Sequence, residues 1–446
     1  MLRHLCLLFC FTAASLIHAA SRPNIVFIMA DDLGWADVAF HGGSAPTPHL
    51  DRLAKENLEL TQHYVAPVCS PTRTGLMSGR YWSRFGITSP NSGQAMPFDT
   101  VTLPRALKSA GYDTCLTGKW HLGSKPEWGP NKFGFDLSYG SLGGGVGPYN
   151  HQYKEGEYTH TWHRDGTLIT EEGHVTDLLA NEAVAWISSR SERPFFLYVP
   201  FTAVHLPVKE PEEWVSKVPA NITGDVARHY AACIMHMDEA IGQILAALEK
   251  AGKRDNTLVV FTSDNGGSTA ENNDRKYPAD DYPAGKITAS NAPLRGQKAD
   301  LYEGGIRVPT LVSWPGVLKA GQFKAPVHIS DWMPTLCALA GYQGEADLKW
   351  DGINLWPALI GEAELNDRIL YWTGPNFRTL AVREGNWKLI VTRTKDKAGD
   401  SPELFDLAKD PNETTNLAKQ QPDLVKTLLS KMDQVAKADR DAVVKK

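Results

Sequence analysis

Six places in this chain carry residue types that can do chemistry together. They are Cys69-Ser70-Pro71-Thr72-Arg73, Asp31-Asp32, Asp264-Asn265, Lys119-Trp120-His121, and the separate pair His205 and Lys298. Pro71 suits the first turn of a helix and Gly79 suits its end, so Cys69 is expected at a helix N-terminus. Backbone amides there favour an anion or an ionised nucleophile. Asp31, Asp32, Asp264 and Asn265 offer only oxygen ligands. That donor set suits a hard cation such as Ca²⁺, which takes about six to eight oxygens, rather than zinc, which calls for Cys or His. With such an ion counted, Arg73, Lys119 and Lys298 outweigh the three carboxylates. A surplus of positive charge in a cleft points to an anionic substrate.

Each piece also has a plain structural explanation. Asp-Asp at a strand end caps helices or lies in a solvated turn, and Asp-Asn-Gly-Gly is a good turn sequence. A lone lysine is usually solvated, a lone histidine usually a hydrogen-bonded structural residue, and Cys69 alone could be a buried thiol. Only their joint placement is specific.

The elements that must position them alternate between strand and helix. Asn24 to Met29, Thr114 to Thr117, Phe195 to Val199 and Thr257 to Phe261 are apolar runs that read as strands, with a further one near Thr310. Thr47 to Leu53, Leu103 to Ala110, Val175 to Ser188 and Asp225 to Ala251 have helical spacing. This pattern predicts an α/β fold with a large mixed, mostly parallel sheet flanked by helices. Active sites in such sheets lie beyond the carboxyl ends of the strands, where the chemical residues fall. After Asp351, short strands at Ile369, Thr379, Trp387 and Glu403 and a helix from Pro422 predict a smaller C-terminal antiparallel sheet plus helix. The expected division is residues 1–20 as a leader, 21–350 as the catalytic domain and 351–446 as the C-terminal subdomain. The stretch from Gly140 to Gly166, rich in Gly, His, Tyr and Trp, reads as an aromatic surface lip around a binding site.

The chain has 446 residues and a net charge of −5, with no basic block to mark a nucleic-acid face. Arg3 and His4 precede an apolar run from Leu5 to Ile17 that ends in His18-Ala19-Ala20, the form of a secretory signal peptide. The expected product is exported, to a bacterial periplasm, the medium or a lysosome, with no later segment long and apolar enough to span a membrane. Cys6 and Cys10 leave with the leader. Of the four cysteines beyond it, Cys115 and Cys337 sit in apolar surroundings and read as inert core thiols.

Together these segments resemble the type I, formylglycine-dependent sulfatases. Ala30-Asp31-Asp32-Leu33-Gly34-Trp35, Cys69-Ser70-Pro71-Thr72-Arg73, Gly118-Lys119-Trp120-His121-Leu122-Gly123, Ser263-Asp264-Asn265-Gly266-Gly267 and Leu294-Arg295-Gly296-Gln297-Lys298 carry the likeness, which runs from Asn24 to the C-terminal helix. Val204-His205-Leu206-Pro207, Met237-Asp238-Glu239-Ala240 and Trp387-Lys388-Leu389 resemble the arylsulfatase B, or N-acetylgalactosamine-4-sulfatase, branch.

The resemblance implies an alkaline phosphatase-like fold and a sulfuric ester hydrolase. It implies that a formylglycine-generating or sulfatase-maturating enzyme oxidises Cys69 to Cα-formylglycine, with Pro71 and Arg73 as its recognition elements. It also implies a calcium ion held by Asp31, Asp32, Asp264, Asn265 and residue 69. One hydroxyl of the hydrated aldehyde attacks sulfur and the alcohol leaves. The other hydroxyl then loses a proton, sulfate departs and the aldehyde returns. By position Arg73 steadies the hydrate, Lys119 and Lys298 hold sulfate, His121 partners the second hydroxyl and His205 protonates the leaving oxygen. The substrate implied by the branch is a glycan with 4-O-sulfated galactose or N-acetylgalactosamine units. Some relatives place a serine near the sulfate after Gly-Phe-Asp. Here Gly143-Gly144-Gly145 stands there with Ser141 nearby, so no serine role is assigned. Two other readings stay open at this level: a phosphate mono- or diesterase on the same fold, and a catalytically silent glycan-binding protein.

Overall fold

In the computed structural model, residues 22–273, 277–278, 281–344, 347–393 and 400–444 are described. The expected leader, residues 1–20, lies outside them. Strand β1 (Asn24–Ala30) is buried along its whole length. Ile25, Phe27 and Met29 face one core, and Val26, Ile28 and Ala30 face another. A strand covered on both sides must be apolar throughout, which is why it reads as an unbroken run.

The strands that follow are β2 (Leu58–Leu60), β3 (His63–Tyr64), β4 (Asp113–Lys119), β5 (Leu137–Ser141), β6 (Trp162–Arg164), β7 (Thr167–Leu168), β8 (Phe195–Pro200), β9 (Thr257–Ser263), β10 (Leu311–Ser313), β11 (Gly321–Phe323) and β12 (Val327–His328). β3 and β12 pair with each other, and the rest form one sheet in the order β11-β2-β10-β9-β1-β8-β4-β5-β6-β7. β9, β1, β8, β4 and β5 run parallel, while β10, β6 and β7 are antiparallel to their neighbours. The sheet is thus mixed and mostly parallel, as expected. β1 lies between two strands from much later in the chain, so the connections diverge on either side of it and leave a crevice at its carboxyl end.

Helices cover both faces. In chain order they are α1 (Pro48–Glu56), α2 (Cys69–Ser78), α3 (Leu103–Ser109), α4 (Val175–Ser188), α5 (Glu212–Val215), α6 (Asp225–Lys250), α7 (Glu303–Ile306), α8 (Trp332–Ala340), α9 (Trp356–Leu359) and α10 (Pro422–Ala436). α2, α3 and α8 pack with Phe27 and Leu258 on one face; α1, α4 and α6 pack with Ile28 and Val259 on the other. By length and composition α6 could cross a bilayer, contrary to the expectation that no such segment follows the leader; it is a core helix, with Ile241, Ile244 and Leu248 buried. Cys69, Cys115, Cys233 and Cys337 are all free and buried, and burial pushes the Cys337 thiol up to about 12, in keeping with an inert role.

Beyond the main sheet, β13 (Ile369–Thr373), β14 (Thr379–Glu384), β15 (Trp387–Thr392) and β16 (Ser401–Asp406) form an antiparallel meander. Strict alternation sorts its two faces. Leu380, Val382, Leu389 and Val391 pack on Val425, Leu428 and Met432 of α10, whereas Ala381, Ile390 and Phe405 join the core of the main sheet. On that inner face lies Lys388, fully buried, its Nζ 2.9 Å from Glu303 of α7 and 2.8 Å from Glu413. The Tyr64 hydroxyl donates to Glu303 at 2.7 Å and accepts from Arg383. The meander is therefore fastened to the main domain by buried charge as well as by apolar contact.

The stretch from Gly140 to Gly166 departs from the expected lip. It supplies the end of β5 and all of β6, and Trp162 is buried against Tyr139 and His151 with its indole N–H on Glu171 at 2.5 Å. Its aromatic rings are mostly core; the part that reaches the crevice is the glycine run and Tyr153.

Candidate active site

Every residue singled out from the sequence falls at the carboxyl end of the parallel strands. α2 begins at Cys69 and ends on Gly79 in the left-handed region (φ 67°), whose N–H closes the helix on Gly75 O at 2.9 Å. All ten of its residues are buried, and Cys69 is 1% exposed. Thr72 ties the helix start to the end of β9 by donating to Asp264 O at 2.6 Å.

The carboxylates come from the ends of β1 and β9. The sheet ladder continues one step beyond them, with Asp264 N on Ala30 O at 3.0 Å and Asp31 N on Ala203 O at 2.9 Å. Asp32 turns the chain at φ 62°, a costly conformation for a residue with a Cβ that persists where surroundings enforce it. Its N–H donates to Asp264 Oδ1 at 3.2 Å, and its carboxylate accepts from Asn265 Nδ2 at 2.7 Å. Arg73 reaches Asp264 Oδ2 through Nη2 at 2.7 Å and donates through Nη1 to Lys119 O at 2.6 Å. Lys119 Nζ pairs with Asp31, and Lys298 Nζ lies 2.6 Å from Asp32. All the expected metal ligands and cations are thus brought together.

The donor set fits a hard cation. One oxygen of Asp31 and the side-chain oxygen of Asn265 are buried without a hydrogen-bond partner. Sγ of Cys69 lies within 4.8 Å of carboxylate oxygens of Asp31 and Asp264, which also lie within that distance of each other. Burial, reinforced by Asp264, pushes the Asp31 carboxyl up to about 8 in the protein alone. A carboxylate so disfavoured calls for positive charge beyond that of Lys119 and Arg73.

The two histidines stand on the same crevice. His121 has φ 56°, and both of its ring nitrogens are buried without a partner. His205 Nδ1 pairs with Leu206 O and leaves Nε2 3.7 Å from Asp32. Burial and then nearby lysines, Lys119 for His121 and Lys298 for His205, hold both rings well below their ordinary pKa, hence neutral. Between them runs Gly143-Gly144-Gly145. A methyl group on Gly144 would lie 2.5 Å from His121 Nε2, and one on Gly145 would lie 3.2 Å from His205 Nδ1. Ser141 hydrogen-bonds Thr161 and the Gly143 N–H, which occupies it structurally.

A family model described as Sulfatase matches residues 23–342, and one described as N-sulphoglucosamine sulphohydrolase, C-terminal, matches residues 297–438. The chain belongs to the sulfatase family. This sulfatase is 32% identical to arylsulfatase J of Mus musculus over 94% of the chain and 76% of that protein. It is 31% identical to N-acetylgalactosamine-6-sulfatase of Rattus norvegicus, covering 89% of the chain and 81% of that protein. Among solved structures, Ps i-CgsB in complex with k-i-k-neocarrahexaose superimposes with a TM-score of 0.82 at 32% identity, covering 94% of this chain and 93% of that one. Membership makes the sulfatase a sulfuric ester hydrolase, the first of the readings given above.

The sulfatase also contains a cluster with no obvious mark in the sequence. Glu210, five residues beyond His205, accepts from His236 Nδ1 of α6 at 2.7 Å, and Asp177 of α4 takes His236 Nε2 at 2.9 Å. The His174 ring stacks on one side of His236 and Trp214 on the other. Burial disfavours the charged ring, but the two carboxylates prevail and raise His236 to about 9. It is an imidazolium that fastens the His205 segment to the helix layer. A pKa raised on folding gives stability that is full below the unfolded value of about 6.5 and lost as pH rises through 9. Thermal midpoints measured from pH 6 to 10 are expected to fall across that interval, and His236→Gln is expected to remove that portion of the fall.

Proposed function

We propose that this sulfatase removes sulfate esters from galactose or N-acetylgalactosamine units of a sulfated glycan, with 4-O-sulfate the preferred position. Cys69, oxidised to Cα-formylglycine by a maturating enzyme, is the nucleophile, and Asp31, Asp32, Asp264, Asn265 and residue 69 hold a calcium ion. The observation that carries this reading is the closure of three buried carboxylates and three cations around Cys69, with two buried oxygens left without partners. Calcium, when bound, supplies charge that draws the sulfate and favours ionisation of the hydrated aldehyde.

The chain's own residues do the rest. Arg73, fixed by Asp264, holds residue 69 at the helix start. Lys119 and Lys298 neutralise the sulfate oxygens as one hydroxyl of residue 69 attacks sulfur and the sulfur–oxygen bond to the sugar breaks. His205 gives the departing oxygen its proton; the bound sulfate supplies the negative charge that favours its protonated form. His121, kept neutral by burial, takes the proton of the second hydroxyl, the bond to sulfate breaks and the aldehyde is restored. The sugar preference follows the branch resemblance at position 4. N-acetylgalactosamine recurs in the relatives' names, where it is paired with a 6-sulfate.

The test is sulfate release from 4-O- and 6-O-sulfated galactose and N-acetylgalactosamine, as monosaccharides and oligosaccharides, beside nitrophenyl sulfate. Fastest release from a 4-O-sulfated unit is expected; fastest release from the 6-O position would move the substrate to that of the named relatives. Chelation is expected to abolish turnover and lower the thermal midpoint, and added calcium to restore both. Full activity in excess chelator would remove the metal from the mechanism.

A further inference from the structure

Two tyrosines from separate loops meet over the glycine run. Tyr153, in the stretch between β5 and β6, and Tyr277, beyond β9, stand edge to face with ring centroids 5.8 Å apart. They are 7% and 4% exposed. Their hydroxyls are aimed at the glycine run between the two histidines. A methyl on Gly144 would sit 3.0 Å from Tyr153 Oη as well as against His121, and a methyl on Gly145 would sit 2.5 Å from Tyr277 Oη as well as against His205. Each hydroxyl is therefore separated from a catalytic histidine only by the side-chain-free backbone of one glycine. The Lys154 ammonium lies 5.2 Å from the Tyr153 ring centroid. Among the described residues, the Tyr277 hydroxyl makes no hydrogen bond to the protein, although the rest of its side chain is buried. A buried hydroxyl without a protein partner, beside the groups that would handle the sulfate, is placed to meet a substrate. Burial pushes both phenols up, and an ionised Cys69 would push them further, so both remain donors at neutral pH and both lie near residue 69.

We propose that Tyr153 and Tyr277 are specificity-determining residues, with the Tyr277 hydroxyl hydrogen-bonding a ring hydroxyl of the sulfated sugar and the Tyr153 ring walling the same unit. The glycine run makes this possible by placing no side chain between tyrosine and histidine, so that both groups can approach one sugar unit bound at the crevice. The proposal rests on the glycan reading above. It explains how the sugar could be distinguished without any role in the chemistry at sulfur, since a flat aryl group carries no ring hydroxyl for Tyr277 to find.

The experiment compares Tyr277→Phe and Tyr153→Phe with the wild type on the best sulfated sugar and on nitrophenyl sulfate. Phenylalanine keeps the ring and its packing, and thermal midpoints verify that. For Tyr277→Phe, kcat/KM on the sugar is expected to fall about tenfold or more, mainly through KM, with nitrophenyl sulfate turnover within about threefold of wild type. Tyr153→Phe, which keeps the wall, is expected to lose less than Tyr277→Phe on the sugar. Equal losses on both substrates would make Tyr277 part of the general machinery and overturn the assignment. An unchanged sugar kcat/KM in Tyr277→Phe would overturn it too, while leaving the glycan reading intact. A wild type that cleaves nitrophenyl sulfate but no sulfated sugar would overturn the glycan reading, and the tyrosine assignment with it.

Discussion

Alanine at position 69 is expected to lower sulfate-ester turnover by about 10⁴-fold or more, with a folded protein and a thermal midpoint within a few degrees of wild type. Removing the nucleophile of a covalent mechanism forfeits most of the rate, leaving only what binding and electrostatics provide. The structural cost is small, because cysteine to alanine at a buried site deletes one sulfur and destabilises by about 1 kcal/mol. The thiol itself is a poor alternative nucleophile. Burial raises its pKa in spite of Lys119 and Lys298, so at neutral pH it stays protonated. Intact-peptide mass spectrometry of active wild-type protein is the companion measurement. An unmodified thiol at full activity, or normal rates in Cys69→Ala, would remove the formylglycine from the mechanism.

The largest expected loss of stability lies far from this chemistry. Lys388→Ala leaves Glu303 and Glu413 buried beside each other without their shared cation. Breaking a buried ion cluster by deleting one member costs about 3–5 kcal/mol; Glu303 keeps Arg307 at 3.5 Å, but Glu413 stays buried without a cation. Burial and Glu303 already push the Glu413 carboxyl up, and Lys388 is the group opposing them. Denaturant unfolding should show the loss. The C-terminal meander, which Lys388 clasps to α7, should become the first segment cut by protease. A double variant, Lys388→Met with Glu413→Gln, should recover much of the stability, because Glu303 keeps Arg307 and Arg383 beside it and no carboxylate is left without a cation. If Lys388→Ala unfolds with wild-type stability, the cluster is not what fastens the meander.

The sequence makes the site legible to the extent that chemistry sits at the ends of long apolar runs. Asp31-Asp32 after β1 and Asp264-Asn265 after β9 are visible because each strand is buried along its length and reads as a largely apolar run. The short strands β2 and β11 at one end of the sheet do not announce themselves, since three residues carry no period. Tyr277 lies on an irregular segment between β9 and α7, where no repeating pattern says which way a side chain points. The stretch around Trp162 misled for the opposite reason: glycine and aromatic residues look the same in a solvated loop and in a tightly turned, buried one, and only the partners Tyr139 and Glu171 tell them apart. His236 was hidden because its function depends on Asp177 and Glu210, each 26 or more residues away.

The burial of α2 sets a clock. A maturating enzyme must hold Cys69 in its own active site, yet in the folded protein this side chain is 1% exposed and every neighbour on its helix is packed. Under the proposed mechanism, oxidation therefore has to happen while the segment is still unfolded, and folding competes with it. A chain that folds first is stable, soluble and permanently inert, so the specific activity of any preparation measures how that race was run.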